Sequence, residues 1–201
     1  MNIYFPSATS PIGSAFRRLA LTVLLSALPL VLRAADIPKV GDKAPDFTLQ
    51  TLDDATVRFS ELTAKENVVL VVLRGWPGYQ CPICDRQVHE FISTASGFAE
   101  AKARLVFVYP GPARDLKAHA EEFKQWKGKQ WPKEFLYVLD PDYSMVNAYG
   151  LRWDAPRETA YPSTFVVDKK GIVRFAKISR THGDRTKAAD ILAELKKISG
   201  Q

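Results

Sequence analysis

The sequence predicts an α/β sandwich around a largely parallel core sheet. Two observations carry that reading: the valine-rich run in "NVVLVVLRG", continuous enough for a strand buried on both faces, and the alternation of strand-like and helix-like patterns that follows it. A third feature, "STFVVDKKGIVRFAKI", reads as a terminal hairpin turning at Asp168 to Gly171.

In chain order, "APDFTLQTLDDATVRFSEL" alternates as two short strands around an Asp53-Asp54 turn, followed by a helical turn capped by Ser60. The buried run covers Val68 to Leu73 and ends at Gly75. Four further strands are expected at 104–110, 134–140, 163–168 and 171–178. Between them, Val88, Phe91, Ile92 and Ala95 share one helical face, and Leu116, Ala120, Phe123 and Trp126 share another. A last helix carries Ile191, Leu192, Leu195 and Ile198, with Asp184 as its expected cap. Asp140 and Asp142, on either side of Pro141, read as caps of a following helix rather than an acid–base pair.

The first residues differ from the rest. Arg17 and Arg18 precede a 14-residue apolar run, Leu19 to Leu32, and "LRAAD" offers small residues for cleavage. Residues 1–34 therefore read as a secretory signal peptide and residues 35–201 as one domain. The run is short of the roughly 20 residues that span a bilayer, and an uncleaved anchor is the alternative. The expected location is outside the cytoplasm, periplasmic or secreted, with membrane contact only through that segment. Residues 1–34 hold three arginines and no acid, so without them the formal charge falls from +6 to +3. That balance, with no basic run, argues against nucleic acid as a partner.

The only two cysteines stand three apart in "RGWPGYQCPICDRQ". Pro82 suits the first position of a helix, which makes Cys81 the N-cap and puts Cys84 in the first turn. Free backbone N–H groups and the helix dipole there favour a thiolate. Arg74 and Arg86 are expected to add to that effect and Asp85 to oppose it. Cys84 lies four residues before Val88 on the inward face, so Cys81 is expected to be the more exposed sulfur. Zinc wants about four ligands, which this segment lacks, and covalent haem needs a histidine where Asp85 stands. No metal or other cofactor is expected for the redox reading. A structural disulfide would close a tiny loop and stabilise little. It stays open beside a copper(I) carrier and, as the leading reading, a working redox pair.

The residues resemble the peroxiredoxin-like branch of the thioredoxin-fold proteins, the alkyl hydroperoxide reductase and thiol-specific antioxidant family. The likeness runs from "VGDKAPDFTLQTLDDATVRFSEL" through "VVLVVLRGWPGYQCPICDRQV" and "VLDPDYSMVNAYG" to "YPSTFVVDKKGIVRFAKIS". It implies a thioredoxin-like fold with a central mixed sheet, helices on both faces and a short N-terminal hairpin. Counting from Pro77, the resemblance places Cys84 at the peroxide-attacking position and Cys81 where the family has threonine. Pro162 stands where the family has an arginine, and Arg74, Arg152 and Arg157 are the candidate substitute cations. The chain also resembles the thiol–disulfide oxidoreductases of this fold, in which the first cysteine attacks and a cis-proline faces the pair; Tyr161-Pro162 would supply it.

The expected activity is an oxidoreductase cycling Cys81 and Cys84 between dithiol and disulfide, with thiols and disulfides, protein or small, as partners. The rival is a thiol peroxidase that reduces hydroperoxides with Cys84. Tyr161, Pro162, Trp76 and Pro77 are the expected substrate-contacting residues, Trp76 forming an aromatic lip with Tyr79. His89, His119 and His182 read as ordinary surface histidines.

Overall fold

The computed structural model describes residues 35–199; the expected signal segment lies outside the described residues. Strand β1 (Thr48–Thr51) and β2 (Thr56–Arg58) form the early hairpin, and α1 (Phe59–Thr63) follows. Next come β3 (Asn67–Val72), α2 (Pro82–Ser93), α3 (Ala95–Glu100), β4 (Ala103–Gly111) and α4 (Leu116–Gln125). The chain then runs through β5 (Leu136–Pro141), α5 (Ser144–Ala148), β6 (Ser163–Val167), β7 (Val173–Ile178) and α6 (Ala188–Ser199).

The strands form one seven-stranded sheet in the order β2-β1-β5-β4-β3-β6-β7. Its centre is parallel, β3 with β4 and β4 with β5. The flanks are antiparallel, so the sheet is mixed, as the resemblance implies. Strand β3 is buried on both faces because successive side chains point opposite ways. Val69 and Val71 join the core under α2, α3, α4 and α6, together with Phe91, Phe98, Phe123 and Ile191. Val68, Leu70 and Val72 join the core under α1 and α5, with Phe59, Met145 and Val146. Two apolar layers at one strand explain why its sequence shows no alternation.

Two expected caps are supplied by other residues. The Ser60 N–H and hydroxyl both donate to Asp46, at 2.8 Å each, so Asp46 satisfies the start of α1. Helix α6 begins at Ala188, whose N–H donates to Glu90 Oε1 of α2 at 2.8 Å, while Asp184 pairs with Lys177. A carboxylate brought in by tertiary contact serves a helix end as well as a local one, and local pattern does not reveal it. Asp140 behaves as expected: its buried carboxylate accepts the N–H groups of Met145 and Val146 at 2.9 Å.

Candidate active site

Strand β3 aims the chain at the start of α2. After it, Gly75 adopts φ +72°, and a Cβ there would lie 1.8 Å from the Pro110 carbonyl oxygen. Only glycine fits so tight a crossing. The Trp76 N–H donates to that same oxygen, which fixes the loop against the end of β4. Gln80 ties the loop to α4, donating to the His119 carbonyl at 2.8 Å and to Glu122 at 3.0 Å. It also accepts from the Tyr109 hydroxyl at 2.9 Å.

Cys81 is the N-cap of α2, in extended backbone, with Pro82 at the first helical position. Its sulfur accepts the Cys84 N–H at 3.3 Å. Cys84 Sγ accepts the Arg74 backbone N–H at 3.4 Å and faces Arg185 Nη2 at 3.6 Å. Neither cysteine is in a disulfide. The hydrogen bond from the Cys84 thiol, the Cys84 N–H and the Arg185 charge bring the Cys81 thiol down to about 5, against the opposing effect of burial. Burial pushes Cys84 up, and donating to Cys81 adds to it.

Exposure does not separate the two sulfurs as expected, since Cys81 is 3% and Cys84 1% exposed. The Arg74 N–H and Arg185 both reach Cys84 Sγ, and what separates the two thiols is the opposite direction of their pKa shifts. Asp85 does not oppose the thiolate as its position suggests. Although burial works against it, Lys129 at 2.6 Å and Lys127 at 3.0 Å hold its carboxyl below the usual range and cancel its charge.

Of the three candidate cations, none presents its guanidinium to a sulfur. The Arg74 guanidinium is buried and consumed by Glu158 at 2.7 Å, the Arg157 carbonyl at 2.7 Å and the Tyr79 hydroxyl. Arg152 donates to the carbonyls of Trp153, Glu158 and Thr159 and covers the Tyr143 ring. Arg157 contributes its carbonyl. The cation at the pair is Arg185, held by the His182 carbonyl at 2.8 Å and Gln87 at 3.4 Å. It lies in the loop before α6, with no motif around it, so sequence reasoning had no signal to follow.

Tyr161-Pro162 is not cis; every peptide bond among the described residues is trans. Val72 pairs with Ser163, which sets Pro162 level with Leu73, beside the loop whose N–H holds Cys84. Tyr161 stacks on Trp153 at 4.7 Å and lies under Arg180. Trp76 stacks on His119 at 3.6 Å, and Tyr79 is the exposed part of the lip. Pro77, half-buried, follows in the same loop. Two histidines taken as bystanders have structural work: His119 as the Trp76 platform, and His182 as holder of Arg185, its ring 2.9 Å from Glu158.

Paired sulfurs at a helix start, after the central strand of a mixed α/β sheet, are an arrangement suited to thiol chemistry. The AhpC/TSA family matches residues 40–176. Peroxiredoxin Bcp of Bacillus subtilis is 26% identical over 167 residues, which cover 80% of this chain and 97% of that protein. The chloroplastic Peroxiredoxin Q of Triticum aestivum is 26% identical over 135 residues, and the match spans 57% of its length. Among solved structures, Peroxidoxin BcpB from Mycobacterium tuberculosis superposes with a TM-score of 0.62 at 24% identity, covering 80% of this chain and 98% of that one. Reduced Prx3 of Vibrio vulnificus, in complex with hydrogen peroxide, gives 0.64 at 20%, covering 79% and 99%. The chain belongs to the AhpC/TSA family, in the peroxiredoxin group of the thioredoxin fold, and is an oxidoreductase.

Proposed function

We propose that this protein is a two-cysteine thiol peroxidase that reduces a small hydroperoxide and passes through a Cys81–Cys84 disulfide. The observation that carries the reading is the burial of both sulfurs, with the Cys84 N–H donating to Cys81 Sγ. A macromolecular disulfide must align with the attacking sulfur, which a thiolate only 3% exposed does not allow, whereas a peroxide is small enough to enter.

The Cys81 thiolate attacks one peroxide oxygen, the O–O bond breaks, and the departing oxygen leaves as alcohol or water after taking a proton. Arg185 places positive charge beside the pair, where negative charge develops on the leaving oxygen. The Cys84 thiol then condenses with the Cys81 sulfenic acid, releasing water and forming the disulfide. Two electrons from external thiols restore the dithiol.

A second reading, with Cys84 attacking, is favoured by its place in the family pattern and by two donors on its sulfur, the Arg74 N–H and Arg185. Single variants separate the readings. With hydrogen peroxide, Cys84→Ser should form a trappable sulfenic acid rapidly and Cys81→Ser should react like a free thiol; the reverse pattern assigns attack to Cys84. Loss of thiols in the parent protein no faster than in free cysteine, together with insulin reduction, would overturn the peroxidase reading in favour of disulfide exchange.

Export through residues 1–34 belongs to the same proposal. Its support is the sequence pattern of that segment, and it sets where the reducing thiols must be found.

A further inference from the structure

We propose that the cleft between the β1–β2 hairpin and the segment leading into β5 binds an amphipathic carboxylate, an apolar chain with one anionic head. The cleft exists because β1 and β5 are paired only at Val138 and Leu139, so the hairpin parts from the first residues of β5. It measures about 820 Å³ and is distinct from the cysteine site.

The floor is apolar: Leu52, Trp131, Phe135 and Leu136 line it, Leu52 and Trp131 only half-buried against the core. Two exposed lysines, Lys124 and Lys133, stand on its rim, and neither ammonium has a carboxylate within ion-pair distance among the described residues. Of the acids on the rim, Asp53 accepts the Thr51 hydroxyl at 2.6 Å and lies within electrostatic range of Lys124, which leaves Lys133 as the less compensated of the two. Glu121 lies within electrostatic range of Lys117. The wall also contains Tyr137, 4% exposed, whose hydroxyl has no partner among the described residues.

Each ligand class uses these features differently. Inorganic phosphate would meet the lysines but leave the floor unused, and an uncharged alcohol would cover the floor but leave the lysines unpaired. A carboxylate on an aliphatic chain uses both, which is the usual composition of a small-molecule site: apolar lining with a few placed polar groups. One wall is anchored by Lys129, which lines the cleft while bonded to buried Asp85, so the site is carried on a fixed element.

The test is calorimetric titration of the reduced full chain with decanoate below its micelle concentration, beside decanol and inorganic phosphate. One saturable site is expected for decanoate, with decanol about tenfold weaker, the order of one charge-assisted hydrogen bond. The Lys124→Glu/Lys133→Glu double variant should show a similar loss; both positions are exposed, so the fold is retained. Absence of saturable binding, equal affinity for decanol, or binding unchanged by the charge reversal would each overturn the assignment, the last by placing decanoate elsewhere, for example on the N-terminal apolar segment.

Discussion

Cys81 owes its low pKa to identifiable donors, and each can be removed. Replacing Cys84 with alanine deletes the thiol hydrogen bond, and replacing Arg185 with alanine deletes the nearby charge; both should raise the Cys81 pKa from about 5. The sign follows from which form the donors stabilise. They favour the thiolate, so in the parent protein the peroxide rate should climb as pH rises through about 5 and be level at neutral pH. In Arg185→Ala that rise should move to higher pH and the plateau fall about tenfold or more, with thiolate absorbance as the direct reading. Lysine at 185 should restore part of the effect, since charge returns but the planar fork does not. Tyr137 offers a stability test. Its buried hydroxyl has no partner, so Tyr137→Phe should be neutral or stabilising by about 1 kcal/mol in urea denaturation, and a large loss would show the hydroxyl to be satisfied in solution.

At the level of elements, the site depends on how α2 is seated. Its first turn is held by a backbone N–H from the β3 loop, and its side by the buried Asp85–Lys129 pair, with Lys129 also donating to the Trp126 carbonyl at 2.8 Å. Removing one member of a buried pair strands the other. Lys129→Met should therefore cost roughly 3 kcal/mol, offset in part by Lys127, and loosen the segment after α4 as read by hydrogen exchange. Gly75 sets the approach of the loop to Pro110. Gly75→Ala should disrupt Cys84 reactivity well before it unfolds the protein, because the clash of the added methyl falls on the backbone that carries the Arg74 N–H. Unchanged thiol reactivity in Gly75→Ala would remove this account of the loop.

For the whole molecule, both apolar layers among the described residues are built from positions 37–198. A chain beginning at Ala35 should therefore unfold in one cooperative transition at the melting temperature of the longer protein. If residues 1–34 are a cleaved signal, N-terminal sequencing of the exported protein should begin near Ala35; a first residue upstream of Leu19 would leave the segment in place as an anchor. A lower melting temperature on truncation would show that the leading segment contributes to the fold.

Sequence by itself determined what depends on local pattern. The valine run marked β3, the 3.6-residue spacing marked α2, α4 and α6, and Cys81-Pro82 marked the start of the cysteine helix, because burial on two faces, helical periodicity and the geometry of proline each leave a trace in neighbouring residues. Tertiary structure decided what depends on distant segments meeting. It brought Arg185 to Cys84 across 101 residues, gave α6 its cap from Glu90, neutralised Asp85 with Lys129, and buried both sulfurs almost equally where Cys81 was expected to be the more exposed. It also placed a trans Tyr161-Pro162 bond where the resemblance to disulfide oxidoreductases implied cis. The difference has one physical cause. The charge and solvent access of a sulfur are set by whatever packs against it, and here the cation comes from the loop before α6, whose own sequence carries no periodicity and no motif.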